Sequence, residues 1–227
     1  MVLGIPMGMG RTVIATITES TAKRSLIGLV PTMSAAATAS ESPTRPGISS
    51  SVLGMAFFVA VEVLFFAGML SAYFVTRADM AWPPEGQPRL PVWATLFNTL
   101  LLFISGFLFY RAGKLKRLRW EGHEAFKKSF ILSMVLGGLF LVLQGKEWID
   151  LIQHGLTLQS SLYGSSFYVI VGTHGVHALA SLVFSGFLLA KVLAKQEVLD
   201  EHFDAAQLFW YFVVGIWPLI YIFLYIL

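Results

Sequence analysis

Residues 50–76 read SSVLGMAFFVAVEVLFFAGMLSAYFVT, a run in which Glu62 is the only charged side chain. A helix of roughly 20 apolar residues crosses the ~30 Å hydrocarbon core of a bilayer. This run is long enough. Four more follow it. Leu90 to Tyr110 and Ser129 to Gly145 carry no charge, Gly155 to Ala190 holds His174 and His177 but no Asp, Glu, Lys or Arg, and Ala205 to Leu227 is charge-free. None alternates polar and apolar residues as a barrel strand does. The pattern predicts an all-α fold, a polytopic integral membrane bundle of five transmembrane helices near 50–76, 90–112, 128–147, 160–192 and 205–227. The third run is the shortest, but Lys127, Lys128 and Lys146 can snorkel at its ends and Trp148 suits the interface. The start of the fourth, Thr157 to Ser161, is polar enough to be a loop or interfacial turn.

Composition excludes the main alternatives. Of 227 residues 56% are hydrophobic and 13% charged, about half the charged share of a soluble globular domain. Such a chain cannot cover a soluble enzyme's surface. There is no cysteine, so disulfides, thiolate metal sites, iron–sulfur clusters and a cysteine nucleophile are excluded.

The formal net charge is +3, and the placement of the positive charges sets orientation. Arg111, Lys114, Lys116, Arg117, Arg119, Lys127 and Lys128 crowd the segment between the second and third spans. The positive-inside rule puts it in the cytoplasm. Alternation then collects 13 of the 16 Lys and Arg on that side and leaves Arg77, Arg89 and Lys146 outside. The N-terminus is expected inside and the C-terminus outside a bacterial cytoplasmic membrane. Topology and anionic lipid account for the basic segment, and no nucleic-acid partner is expected. Residues 1–47 are rich in Ser, Thr, Ala, Gly and Pro and read as a disordered cytoplasmic tail preceding a membrane domain at 48–227.

Few residues inside the spans can do chemistry. Glu62 sits near the middle of the first, where a carboxylate costs on the order of 2.5–3.5 kcal/mol on insertion scales. A functional proton site and a structural, hydrogen-bonded acid are both open readings. His174 and His177, spaced i, i+3 in Gly172-Thr173-His174-Gly175-Val176-His177, share one face of the fourth span. A haem held by two histidines takes one from each of two helices. The remaining histidines, His123, His154 and His202, fall in predicted loops, so no haem or metal is expected on this chain. Counting ~1.5 Å per residue puts Glu62 and His177 at similar depth. They are expected to hydrogen-bond directly or through one water, within about 6 Å. In the outer loop Pro83, Pro84, Pro88 and Pro91 stiffen the connection, and Trp82 is an interface anchor.

In order along the chain these segments resemble one family, subunit III of the haem–copper respiratory oxidases, in its five-helix form. Glu62 with Leu64-Phe65-Phe66 resembles the family's Ser-Glu-(hydrophobic)-Phe-Phe helix, with Val61 in place of the serine. Trp82-Pro83-Pro84-Glu85-Gly86, Leu90-Pro91 and Asn98-Thr99 resemble its Trp-Pro-Pro loop and the helix that follows. Gly155-Leu156-Thr157-Leu158, Tyr163-Gly164-Ser165-Ser166-Phe167-Tyr168 and the histidine segment resemble its second-last span. Ala205-Ala206, Phe209-Trp210-Tyr211-Phe212-Val213 and Trp217 resemble its last, where Tyr211 and Val214 replace the usual His and Asp. The resemblance covers roughly 50–227. It implies a subunit without a redox centre, packed beside the catalytic subunit I that holds haem and copper and among other oxidase subunits. Such a subunit stabilises its partner, binds phospholipid and supports proton uptake while the complex reduces oxygen to water and pumps protons. In that setting Glu62, His174 and His177 are the candidate intramembrane proton, hydrogen-bond or lipid site. A subunit III-like component of a quinol oxidase or nitric oxide reductase complex is an alternative. A stand-alone proton-coupled carrier is another, although the chain shows no repeated halves or Gly/Pro-broken helix pair.

The topology is directly testable. A Leu118→Cys variant should react with a membrane-impermeant thiol reagent only after the cells are opened; labelling from outside intact cells would invert the arrangement.

Overall fold

The computed structural model describes residues 49–78, 84–118 and 124–227. The tail at 1–47, Trp82 and His123 lie outside the described residues. Five helices run in order: α1 (Ser50–Ala78), α2 (Val92–Arg117), α3 (Glu124–Gln153), α4 (Leu162–Leu193) and α5 (Asp200–Tyr221). The last continues into one wider π turn, Ile222–Ile226. There is no strand among the described residues. All five helices are long and apolar enough to cross a membrane, so this is an integral membrane protein.

The helices outrun the charge-free stretches. α2 continues through Lys114, Lys116 and Arg117, α3 starts at Glu124, and α5 starts with Asp200 and Glu201. These additions suit the helix macrodipole, with cations at a C-terminus and anions at an N-terminus. The charge boundary marks the edge of the hydrocarbon, and the backbone stays helical beyond it. α4 begins where Ser161 caps it, its Oγ accepting from the Gly164 N–H at 3.0 Å. Thr157 to Ser160 leads into that cap through a turn.

α5 is the centre of the bundle and packs against α1, α2 and α4, while α2 pairs with α3 and α3 with α4. It buries Phe203, Trp210, Trp217 and Ile220 completely. α1, by contrast, buries only Phe66, Leu70 and Tyr73. Lipid tails are as apolar as leucine, so close packing and hydrogen bonds hold such helices together. Both are present. A Cβ on Gly137 would lie 2.6 Å from Cζ2 of Trp210, so the indole fits only because α3 has no side chain there. Ser105 Oγ donates to the Ser133 carbonyl and Ser133 Oγ to the Ser105 carbonyl, both at 2.8 Å, clipping α2 to α3. Gln207 Nε2 donates to the Phe109 carbonyl at 2.8 Å. Trp217 Nε1 donates to Thr99 Oγ1 at 2.8 Å. Lys116, buried at the end of α2, pairs with Asp200 and donates to the Val198 carbonyl at 3.1 Å, tying down the entry to α5.

The small residues of α3 and α4 fall into two groups. Gly137 meets Trp210, Gly175 meets Trp148, and Ser181 is fully buried, so these serve the bundle itself. Gly138 and Gly172 have nothing within 4 Å of a built Cβ. Gly137→Ala is therefore expected to lower unfolding stability in mild detergent by about 1–3 kcal/mol through overpacking. Gly138→Ala is expected to be neutral, or to stabilise by up to about 1 kcal/mol through helix propensity.

Candidate functional site

Glu62 projects from the middle of α1 toward the middle of α4. Its Oε2 lies 3.0 Å from Nε2 of His177, and both side chains are largely buried. This is the pairing expected from helix depth and the scarcity of other ionisable groups within the spans. The other ring nitrogen fixes what that contact means. His177 Nδ1 is 2.8 Å from the Thr173 carbonyl oxygen. A carbonyl only accepts, so Nδ1 must carry a proton and donate it. A neutral His177 then offers a lone pair at Nε2, which needs Glu62 as the protonated donor. A charged His177 offers an N–H, which needs Glu62 as the carboxylate. Either way a single proton lies between the two residues and the pair is neutral overall. Phe58, Phe66, Phe209 and Phe212 ring the imidazole at centroid distances of 5.5–6.4 Å. That apolar wall penalises any state carrying net charge.

His174 lies one turn away and does something different. Its ring is tilted on Trp217 at 4.8 Å and contacts Phe140 and Phe66. It is 1% exposed, and neither of its nitrogens has a hydrogen-bond partner among the described residues. Phe66 touches both histidine rings. The structure thus joins Glu62 to His177 and leaves His174 in an aromatic box. Among the described residues no three His, Asp or Glu side chains converge as a metal-binding group.

A second polar cluster escaped the reading of the sequence. Glu147 Oε2 accepts from Thr95 Oγ1 at 2.8 Å and from Gln144 Nε2 at 3.0 Å. Gln144 Nε2 also reaches the Tyr225 hydroxyl at 3.3 Å, and Asn98 Nδ2 donates to Gln144 Oε1 and to the Phe140 carbonyl at 3.2 Å each. The available signal was the i, i+3 spacing of Gln144 and Glu147, which puts both on one face of α3.

The Glu62–His177 contact predicts a coupled pattern. His177→Leu leaves a buried acid without its partner and should cost about 1–3 kcal/mol of stability. Glu62→Leu combined with His177→Leu replaces both groups by apolar ones and should recover most of that loss. Additive losses in detergent unfolding would show that the two side chains do not interact.

With this geometry in place, comparison with known proteins is informative. The family model for cytochrome c oxidase subunit III matches residues 22–227. Among curated proteins the chain is 35% identical to cytochrome c oxidase subunit 3 of Corynebacterium diphtheriae, over 80% of this chain and 89% of that one. It is 32% identical to the same subunit of a Synechocystis species, over 78% of this chain and 75% of that one. It is 30% identical to a probable cytochrome c oxidase subunit 3 of Mycobacterium leprae, over 80% and 89%. Five helices able to span a membrane and a family match that covers the whole bundle have one reading: the chain belongs to the cytochrome c oxidase subunit III family.

Proposed function

We propose that this chain is a non-catalytic subunit that packs beside the haem–copper catalytic subunit, stabilises it, binds phospholipid and helps maintain its proton supply. A subunit III role in a haem–copper oxidase follows from the family; the division of labour is the proposal. Haem and copper, which carry electrons to oxygen, would sit on the partner subunit. The donor chemistry here supports that placement. Both nitrogens of His177 are engaged, and His174 has no second ligand beside it among the described residues.

The observation that carries the proton role is the Glu62–His177 contact at 3.0 Å. Thr173 holds the imidazole in one tautomer, so Glu62 and His177 keep one proton at a fixed place in the membrane. Moving it off the pair leaves a charge among four phenylalanines, which makes the pair a holder of that proton unless a neighbouring group or water takes part. The basic segment at 111–128, on the proposed cytoplasmic side with the N-terminus, would set the orientation in a bacterial cytoplasmic membrane.

Extraction in mild detergent should yield this chain together with a large haem-containing membrane subunit; a stable isolated monomer as the native species would overturn the assignment of partner. Within that complex, Glu62→Gln keeps an N–H donor for His177 Nε2 but removes the transferable proton. It should assemble normally and lower proton uptake during turnover without abolishing oxygen reduction. Unchanged uptake would remove Glu62 from the proton role.

A further inference from the structure

Between α3 and α4 lies a cleft of about 380 Å³. That size falls among small-molecule sites, about 300–1,000 Å³. Its walls come from Phe140, Leu141 and Trp148 on α3 and from Val171, Val176 and Leu179 on α4. Among the described residues no Asp, Glu, Lys or Arg lines it. Three glycines shape it. Gly145 and Gly172 have nothing within 4 Å of a built Cβ, so both border open space. At Gly175 a built Cβ would lie 3.1 Å from Cη2 of Trp148, so the indole rests against bare backbone. Val142 and Val176 also line the cleft and are exposed, so it opens on the outside of the bundle.

The polar groups of the cleft are few, and two of them are unmatched. His174 lines it, and neither ring nitrogen has a partner; the Trp148 indole nitrogen is likewise buried without one among the described residues. Gln144, the other polar side chain in the wall, is already bonded to Asn98, Glu147 and Tyr225. An imidazole boxed in by aromatic rings is uncharged and offers one N–H and one lone pair; the indole offers one N–H. Packing against Trp217 would be served by a phenylalanine at 174, which would leave no buried nitrogen unmatched. An apolar cleft with a few convergent polar groups is the usual form of a ligand site.

We propose that this cleft binds an uncharged, membrane-soluble ligand whose flat ring carries a carbonyl or hydroxyl oxygen, the chemistry of a quinone headgroup. Walls without charge disfavour an ion or a phosphate-bearing headgroup. Phe140 and Trp148 supply aromatic surface for a ring, and the open space at Gly145 and Gly172 admits it close to the backbone. The ligand oxygen pairs with the His174 or Trp148 N–H. These nitrogens are buried, so pairing takes a side-chain rotation of the kind common on binding. An apolar tail leaves past Val142 and Val176.

The test uses the complex as extracted in mild detergent and a photoreactive naphthoquinone with a short isoprenoid tail. Labelled positions are mapped by mass spectrometry, which separates this cleft from any quinone held on another subunit. Label is expected within residues 140–148 and 171–179, and unlabelled naphthoquinone should compete it away. Gly172→Leu puts its side chain into open space, so the fold should survive and the labelling should be lost. Gly138→Leu, equally open but outside the cleft, should label as wild type does. His174→Phe keeps a ring against Trp217 and removes both nitrogens. It should weaken the naphthoquinone's competition roughly three- to tenfold, the loss expected for one neutral hydrogen bond. No label in the two segments, or label that survives Gly172→Leu, would overturn the proposal. Equal competition by phosphatidylcholine would overturn it in favour of unspecific lipid packing, and equal competition by a sterol in favour of recognition by shape alone. Wild-type competition in His174→Phe together with a Trp148→Phe variant would remove the hydrogen bond on which the quinone chemistry rests, and the proposal with it.

Discussion

In hydrocarbon a polar group that finds no partner inside the protein costs several kcal/mol, and this bundle is arranged around that constraint. Helical backbone satisfies itself, so the requirement falls on side chains. Glu62 meets His177 across α1 and α4. Ser105 and Ser133 each bond the other's carbonyl. Trp217 is anchored on Thr99, and Gln207 on the Phe109 carbonyl. Each bond crosses between helices. The groups that would be penalised alone therefore also fix which helices are neighbours and in what register, a specificity that apolar contact in lipid does not provide.

The position of α5 follows from size as well as polarity. Trp210 and Trp217 are the largest fully buried side chains and need partners with little bulk. Gly137 supplies that on α3, and the flat ring of His174 supplies a tilted stacking surface for Trp217 on α4. His174 is thus explained by packing, with its nitrogens left over, whereas His177, a turn away, is explained by its nitrogens. Two histidines in one short motif carry different physics because one ring lies on Trp217 while the other bridges Glu62 and the Thr173 carbonyl.

Much of this was legible in the sequence. The spans could be read because charge is so costly in the hydrocarbon that its absence marks them. Glu62 and His177 could be paired because an acid at mid-depth has few candidate partners. Helix ends were less legible: α2, α3 and α5 extend through Lys116, Glu124 and Asp200 into the interface, where charge is tolerated and often favoured by the dipole. The Asn98–Gln144–Glu147–Tyr225 cluster was invisible for a different reason. Asn and Gln carry no charge and so do not interrupt a charge-free run, Tyr225 lies 78 residues past Glu147 in the chain, and only the packing of α2, α3 and the π turn brings them together.

The two polar centres also differ in what they can do with a proton. Glu147 accepts two hydrogen bonds from neutral donors, Thr95 and Gln144, neither of which can take up or give away a proton at ordinary pH. Its contacts therefore anchor α3 against α2 and orient the carboxylate. Glu62 faces an imidazole whose second nitrogen is committed to Thr173, so its contact is with a ring nitrogen that is either a donor or an acceptor according to where the shared proton sits. The same residue type is a structural anchor in one place and a candidate proton holder in the other. The distinction lies in the partner's chemistry, and both partners were set by how the helices pack.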